Sequence, residues 1–155
     1  MATLALATRK QRIVDNEHDT GAVIPGDQLA ADGLKRKYVG AMHRPTPVCY
    51  TYNCHGLTFA GRRTQITSSA EIRKILDDDD YERIGFERVL AGDVVIYVSV
   101  NGDIEHSGVI VSTDPNIVGG GIKVLSKWGK AHEVVHFLRS CPYDDMQMEF
   151  YRVMK

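Results

Sequence analysis

Two short segments of the chain carry residues that could perform nucleophilic chemistry. The first is Asn-Cys-His-Gly-Leu at 53–57, and the second is His-Ser-Gly-Val-Ile at 106–110. The thiolate form of cysteine is the nucleophile, and its pKa falls at a helix N-terminus or beside an imidazolium. A cysteine activated by a histidine is a recurring arrangement for acyl transfer. Cys54 and His106 are therefore the candidate nucleophile and general base of a cysteine hydrolase.

A helix that begins at Cys54 is the first structural requirement of this chemistry. Asn53 is a favourable N-cap, because its side-chain oxygen can accept from a free amide of the first turn, and the helix is predicted over 54–63. The positive end of the helix dipole would lower the pKa of the Cys54 thiol. Neighbouring positions on a helix do not face each other, so we expect His55 to line the cleft and not to act as the base.

The other cysteines and histidines offer weaker candidates. The chain has three cysteines (Cys49, Cys54 and Cys141), and this odd number without a repeated short spacing predicts neither a disulfide scaffold nor a zinc knuckle. His132-Glu133-Val134-Val135-His136 matches the His-Glu-x-x-His pattern of zinc peptidases, which requires a helix. That segment is not a convincing helix and no third histidine follows, so we expect no metal and no cofactor.

Bulk composition places the chain among globular proteins and gives no electrostatic indication of a partner. Its 155 residues are 43% hydrophobic and 25% charged, which suits one domain with its own core. The formal net charge of −1 gives no electrostatic reason to expect nucleic acid as a partner. The apolar stretch at 4–7 is too short for a signal-peptide core, and no segment reaches the length of a membrane span. We expect cytoplasmic synthesis, with a secretion system required for any export.

The N-terminal part of the chain is predicted to be irregular and then helical. Residues 1–20 lack clear periodicity and are largely polar, which predicts a flexible N-terminal arm before a single catalytic domain at 21–155. Glycine and proline are frequent in the segment that follows the arm. At most one short helix is therefore expected there, near 28–38.

A further helix is predicted over 69–77, and four aspartates follow it. Ser68 and Glu71 have the spacing of a capping box. The aspartates at 77–80 oppose the helix dipole at its C-terminal end, so we expect a solvated, frayed helix end. They lack the alternating ligand and glycine pattern of a calcium loop.

Beyond residue 90 the sequence favours strands. β-prone runs are found at 94–100, 104–112, 122–127 and 148–154, and turns are predicted at 101–103, 114–116 and 119–121. Asn101-Gly102 between two such runs is typical of a hairpin. Residues 131–139 fit neither the helical nor the strand period. The sequence predicts an α+β domain whose N-terminal helices pack on a C-terminal antiparallel sheet.

Three of these segments, taken in order, resemble the NlpC/P60 peptidases of the papain-like clan, which includes the CHAP amidases. The nucleophile motif corresponds to 53–57, a Gly-Asp-Val-Val strand to 92–95, and a His-x-Gly motif to 106–110. The resemblance covers roughly residues 48–128. It implies a papain-like fold and a thiol hydrolase that cuts amide bonds, often in bacterial cell-wall peptides.

The resemblance also implies roles for individual residues. Cys54 would be the nucleophile and His106 the general base, with a polar residue on the next strand to orient the imidazole. Family members commonly have His, Asn, Gln or Glu at that position, and the matching strand here has none of them. Strand alternation favours Ser126 as the orienting residue, with His136 or a backbone carbonyl as substitutes.

Neighbouring residues complete the expected cleft. The backbone amide of Cys54 and the hydroxyl of Tyr50 or Tyr52 would stabilise the oxyanion. Trp128 and Tyr97 could line a substrate groove, although large aromatic side chains belong to the core more often.

Three functions remain open at this point. The leading one is an amidase or peptidase that forms an acyl-enzyme on Cys54 and acts on a peptide or peptidoglycan-type substrate. The second is a papain-like acyltransferase or deamidase acting as a toxin-like effector, with an inhibitor or carrier protein as partner. The third is a catalytically inactive papain-like domain that binds a peptide.

Overall fold

A computed structural model describes residues 2–117 and 121–154, which form three α-helices and one antiparallel sheet of seven strands. The helices are α1 (Pro25–Lys37), α2 (Cys54–Phe59) and α3 (Ser69–Asp78), and a short 3₁₀ turn spans Phe86–Arg88. The strands are β1 (Met42–His43), β2 (Tyr81–Ile84), β3 (Val94–Val98), β4 (Ile104–Ser112), β5 (Lys123–Lys127), β6 (Glu133–Phe137) and β7 (Gln147–Val153). Their spatial order is β1-β6-β5-β4-β3-β7-β2. The predicted α+β class is confirmed.

The centre of the sheet is the β3–β4 hairpin that the sequence predicts. Gly102 adopts a positive φ of 85° in its turn, a conformation that glycine tolerates without a steric penalty. β4 has the predicted bounds, whereas β3 ends at Val98, before the predicted 100. A register shift between Tyr97 and Val98 marks a bulge in this hairpin.

The ambiguous segment at 131–139 contains the strand β6, which pairs with β5 along its whole length. Two strands of the sheet have no counterpart in the sequence prediction. They are β1, which extends β6 at one edge, and β2, which extends β7 at the other. Both are short and depend on their partners, so neither presents a periodicity that sequence alone could reveal.

The two faces of the sheet bury separate apolar clusters. One cluster contains Val95, Tyr97, Val124 and Trp128 and packs against α1 through Ala31. The other includes Ile72 and Ile75 of α3, Ile96 of β3 and Val14 of the N-terminal segment. The sheet is therefore covered on both faces, and α2 and α3 lie on the face that carries Ile96.

Residues 2–18 do not form a separate arm. Val14 is only 1% exposed, and isolated bridges pair Ala2 with His18 and Ala7 with Ile13. The Thr8 hydroxyl donates a hydrogen bond to Asp78 at the end of α3, over a distance of 2.6 Å. Because these contacts join positions far apart in sequence, no local pattern could announce them.

The aspartate run also differs from the prediction. Asp78 is only 3% exposed, and both of its oxygens accept from the Arg12 guanidinium at 2.7 Å. Hydrogen bonds from Arg12 and Thr8 hold the pKa of Asp78 far below its usual range. Asp79 and Asp80 accept from Arg9. The C-terminal end of α3 therefore binds the N-terminal segment, and the prediction of a solvated, frayed helix end is wrong.

Helix ends depart from the predictions by a few residues. α1 begins at Pro25, before the predicted 28, and α2 ends at Phe59, before the predicted 63. Ser68 is the N-cap of α3, but its side chain makes no cap hydrogen bond, and Glu71 accepts from the backbone of Asp15 and from Lys74. The predicted capping box is therefore wrong.

Two further observations complete the description. Of the predicted turn at 119–121, Gly119 and Gly120 lie outside the described residues. Within the described ranges, every helix is too short or too polar to cross a membrane.

Candidate active site

The N-terminus of α2 has the predicted local structure. The Asn53 side-chain oxygen accepts from the backbone N–H of Gly56 at 2.9 Å, which confirms the N-cap. Gly56 is required because a Cβ at this position would lie 1.8 Å from the carbonyl oxygen of Thr64. The cap and this close approach fix the first turn of α2, with Cys54 as its first residue.

α2 packs against β4 through Ser107. The Ser107 hydroxyl lies 2.7 Å from Nδ1 of His55 and donates to the Thr58 hydroxyl at 3.0 Å. In the described part of the chain, the pairing of β4 with β5 runs from Ser112–Lys123 to Val109–Leu125 and stops two residues before Ser107. The first turn of α2 contacts β4 at Ser107, where the recorded β4–β5 pairing has ended.

Cys54 is buried at this junction. Cys54 is 6% exposed, and burial raises the pKa of its thiol to about 11. The backbone N–H groups of Ser107, His55 and Cys54 itself, together with the Lys127 charge, act in the opposite direction. The helix N-terminus therefore stabilises the thiolate as expected, but desolvation outweighs it, and the expectation of a lowered pKa is wrong for this conformation.

His106 is fully buried on the other side of β4. Its ring stacks on Tyr143 with centroids 4.0 Å apart and planes 7° from parallel, and Tyr97 lies at 5.3 Å. Neither ring nitrogen has a hydrogen-bond partner among the described residues. Burial, with smaller effects from His136 and His55, holds the pKa of His106 well below its usual value. The predicted hydrogen bond between Cys54 and His106 is not formed.

The bulge in the β3–β4 hairpin explains this outcome. Alternation from Ile104 would place His106 on the face that carries the helices. Glu105 is the extra residue of the bulge, since Ile104 pairs with Val98 and His106 with Tyr97. Ser107, and not His106, therefore shares the helix-bearing face with Ile104.

The predicted orienting residue has a different partner. The Ser126 hydroxyl lies 2.7 Å from Nε2 of His136, whose Nδ1 lies 2.8 Å from the carbonyl oxygen of Phe137. Burial lowers the pKa of His136 to about 4, so its ring is neutral at neutral pH. Ser126 and His136 both lie on the face of His106, but neither forms a hydrogen bond with its ring.

The two tyrosines predicted as oxyanion donors are engaged with carboxylates. The Tyr50 hydroxyl donates to Asp27, and the Tyr52 hydroxyl donates to Glu133 at 2.5 Å. A hydroxyl that donates to a carboxylate has no further proton for an oxyanion. The prediction is therefore not met by Tyr50 or Tyr52 in this conformation.

The two residues expected to line a cleft belong to the interior. Trp128 is buried and its ring packs against Tyr38 at 5.0 Å and His43 at 5.7 Å. His55 is buried against Ser107, and burial lowers its pKa to about 4. Both predictions of a cleft position are wrong here. Tyr97 is also core, with its hydroxyl donating to the carbonyl of Leu138 at 2.7 Å.

Sequence reasoning missed Lys127, which is fully buried at the end of β5. Its ammonium donates to the carbonyls of Gly129 at 2.7 Å and Cys49 at 3.2 Å, and lies 4.9 Å from the Tyr52 ring centroid. The signal was available: in the alternation of 122–128, position 127 falls opposite the face that carries Ser126.

Four of the five residues of the His-Glu-x-x-His segment, 133–136, lie in the strand β6 and not in a helix. His132 Nδ1 lies 2.9 Å from the carbonyl oxygen of Thr46, while Glu133 accepts from Arg62. The helical arrangement that presents two imidazoles to zinc is therefore not formed. No group of metal-ligating side chains is found in the described residues.

A cavity of about 660 Å³ is lined by Phe86, Ile117, Ile122, Leu138 and Met148 among others. It is largely apolar and includes neither Cys54 nor His106. The candidate catalytic residues are thus closed off in this conformation, and Tyr143 covers the His106 ring.

Comparison of the chain with protein-family models, with curated proteins and with solved structures finds no match. The likeness to NlpC/P60 peptidases consequently depends on the three sequence motifs alone.

Proposed function

We propose that the protein is a cysteine-dependent amide hydrolase with Cys54 as its nucleophile, described here in a closed conformation. The observation that carries the proposal is the position of Cys54 as the first residue of a helix capped by Asn53, where backbone N–H groups act to lower the pKa of its thiol. Such N–H groups stabilise a thiolate, and they also stabilise the oxyanion that forms when a thiolate attacks a carbonyl.

The reaction would proceed through an acyl-enzyme. The thiol proton of Cys54 passes to neutral His106, and the thiolate formed attacks the amide carbonyl carbon. The resulting oxyanion is stabilised by the backbone N–H groups at the start of α2. Protonated His106 donates its proton to the leaving amine, and a thioester remains on Cys54. Water then attacks the thioester, with neutral His106 accepting its proton, and the acid is released with the thiol restored.

This scheme requires the site to open. The Tyr143 ring stacks on His106 and belongs to the connection between β6 and β7. That connection is held by the Arg139 guanidinium, which donates to the carbonyls of Asp144 at 2.7 Å and Met146 at 3.3 Å. Displacement of this connection would expose the His106 ring. For the ring to approach the Cys54 sulfur, the bulge at Glu105 would also have to shift, because His106 lies on the face of β4 opposite α2.

The proposed substrate class is a peptide, with bacterial cell-wall peptides as the first candidates. The support for both the amide substrate and the cell-wall class is the motif resemblance. An acyltransferase or deamidase would use the same nucleophile on a different acyl group.

A peptide-binding domain without activity is the second candidate function. The burial of Cys54 and the unpartnered ring of His106 favour the absence of activity. In that case the two residues are core side chains, and neither is ever presented to solvent.

Digestion of purified peptidoglycan fragments, followed by mass spectrometry, tests the proposal. Wild type and Cys49→Ala should both release new fragments, whereas Cys54→Ala should release none. Cys49 is the matched control because it is a free cysteine in the same region of the chain. Equal release by wild type and Cys54→Ala, or cleavage by neither, would refute the proposed function for these substrates, and synthetic peptides would extend the test to other amides.

A further inference from the structure

The cavity lined by Phe86 and Ile117 lies outside the candidate active site and has the size of a small-molecule site. Its volume of about 660 Å³ falls within the range of about 300–1,000 Å³ that is usual for ligand pockets. A second cavity of about 540 Å³ shares Phe86, Ile117 and Ile122 with it, so the two adjoin. An acidic side chain, Glu87, lines the second cavity and not the first. The first cavity is therefore large enough to hold a ligand, and the proposed hydrolysis does not use it.

The cavity brings together apolar side chains that water can reach. Phe86, Ile117 and Phe137 are exposed, whereas Ile122 and Leu138 in the same lining are buried. Single exposed apolar side chains are normal on a protein surface, but several that converge on one concavity are typical of a binding site. An apolar ligand would remove these side chains from water, and this burial would favour its binding.

Arg139 is the one charged residue that lines this cavity in the described part of the chain. Its Nη1 donates to the backbone carbonyls of Asp144 at 2.7 Å and Met146 at 3.3 Å. Its Nε and Nη2 donate to no acceptor among the described residues. The guanidinium is thus fixed through one nitrogen and open along the edge formed by the other two.

The open edge of Arg139 is the one with which arginine binds a carboxylate through two parallel hydrogen bonds. Three other arginines of the chain use this edge, with N–O distances of 2.6–3.0 Å: Arg12 toward Asp78, Arg62 toward Glu133 and Arg152 toward Asp93. Arg139 has no such carboxylate on the described elements. Its edge therefore fits a carboxylate that a ligand brings.

A second cation lies near the same wall of the cavity. The Lys123 ammonium lies 5.5 Å from the centroid of the Phe137 ring, which belongs to the lining. No described carboxylate forms an ion pair with Lys123 or Arg139. The carboxylates of Asp114 and Glu149, on neighbouring segments, already accept from protein donors. The charges on this side of the cavity therefore favour an anionic ligand.

We propose that the cavity binds a single-chain carboxylic acid, such as a medium-chain fatty acid. The hydrocarbon chain lies against Phe86, Ile117 and Met148, and the carboxylate accepts from Nε and Nη2 of Arg139. The binding is reversible, and no covalent bond forms or breaks. It is separate from the proposed hydrolysis, because neither Cys54 nor any other candidate catalytic residue lines the cavity.

The test is a titration of the whole protein with octanoate, decanoate and dodecanoate, each below its critical micelle concentration. Calorimetry gives the affinities, and methyl NMR spectra locate the site. We expect each added methylene to tighten binding about two- to fourfold, because burial of a methylene is favourable. The perturbed methyl signals should belong to Ile117, Ile122, Leu138 and Met148. An affinity that does not depend on chain length, or perturbation confined to other residues, would overturn the inference.

The head group is tested on wild type with dodecanol and dodecylammonium. Because Arg139 is exposed, dodecanoate should bind only about fivefold more tightly than dodecanol, and dodecylammonium should bind most weakly. Arg139→Gln should lower the affinity for dodecanoate to that for dodecanol and leave dodecanol unchanged. If this variant does not fold or loses both ligands, the order in wild type decides, and equal affinities for the three ligands would overturn the inference.

Matched variants test the lining. Ile117→Gln puts a polar group into the cavity and should weaken dodecanoate and dodecanol about tenfold. Val100→Gln changes an exposed apolar residue that does not line the cavity, so both affinities should stay as in wild type. Equal effects of the two substitutions would place the ligand elsewhere and overturn the inference. Cys54→Ala should bind dodecanoate as wild type does, so failure of the proposed hydrolase leaves this site untouched.

Cosedimentation with phosphatidylglycerol vesicles separates a free acid from a membrane surface. We expect the protein to remain in the supernatant. Cosedimentation that Ile117→Gln abolishes would assign the apolar lining to a membrane surface and overturn the inference of a free acid.

Discussion

Replacement of Tyr143 by alanine should open the candidate active site. The ring is partly buried and stacks on His106 with centroids 4.0 Å apart. Burial of an aromatic side chain is worth about 1.5–3 kcal/mol, and a stacked aromatic pair adds about 0.5–1.5 kcal/mol. Since part of this ring remains exposed, we take about 2 kcal/mol as the contribution of Tyr143 to closure.

That free energy fixes the size of the expected effect. If alkylation of Cys54 occurs only from an open state, its rate at fixed pH is proportional to the open population. A loss of about 2 kcal/mol raises that population about 30-fold, because 1.4 kcal/mol corresponds to a factor of ten. Lower desolvation of the sulfur in Tyr143→Ala would lower its pKa and act in the same direction.

The assay is iodoacetamide labelling at pH 7.5 with site-resolved mass spectrometry. Tyr143→Phe is the matched control, because it keeps the stacked ring and should label Cys54 within about threefold of wild type. Urea denaturation of each variant separates local opening from global unfolding. A Tyr143→Ala rate equal to that of wild type would show that the β6–β7 connection does not gate Cys54, and the reasoning would be wrong.

Three further predictions concern stability. Gly56→Ala should lower the free energy of unfolding by about 3 kcal/mol, since its Cβ would lie 1.8 Å from the Thr64 carbonyl oxygen. Gly26→Ala is the control, because its Cβ has no neighbour within 4 Å, and it should change the free energy of unfolding by less than about 1 kcal/mol. Equal melting temperatures of the two variants would contradict this prediction. His136 has its pKa lowered to about 4, so the unfolded state binds its proton first and stability should fall as pH drops from 6.5 toward 4. His136→Gln should flatten the urea-derived slope in that window by up to about 1.4 kcal/mol per pH unit, and an unchanged slope would argue against a neutral buried ring. The pKa of Asp78 is lower in the folded state than in the unfolded state, where it is near 3.9. The stabilisation of the folded state by the Asp78 carboxylate is therefore complete above about pH 3.9 and is lost as the pH falls through the folded-state pKa. Asp78→Asn should remove this acid dependence of the free energy of unfolding, which urea titrations at about pH 2–5 would detect.

The parts of the fold that sequence could predict are those fixed by local rules. The Asn53 cap, the turn at Gly102 and the bounds of β4 each depend on residues within one short segment. β1 could not be predicted, since two residues at a sheet edge form a strand only because β6 lies beside them. The burial of Val14 likewise requires α3, which lies far along the chain.

The candidate site divides in the same way. Cys54 at the head of α2 follows from the cap, so the sequence could place it. The side of β4 on which His106 emerges depends on one extra residue, Glu105, and a shift of one residue exchanges the two faces of a strand. The burial of Lys127 depends on its hydrogen bond to the carbonyl of Cys49, which lies 78 residues away in the sequence.

The docking of the N-terminal segment on Asp78 has a consequence for synthesis on the ribosome. Thr8 and Arg12 emerge first, but the carboxylate that they bind is made 70 and 66 residues later. Because domains complete their folding only when their distant contacts become available, this segment must wait until α3 has left the exit tunnel. Deletion of its residues up to Val14 would uncover the apolar surface of α3, and the nascent chain would carry that exposed surface into an environment where it can aggregate.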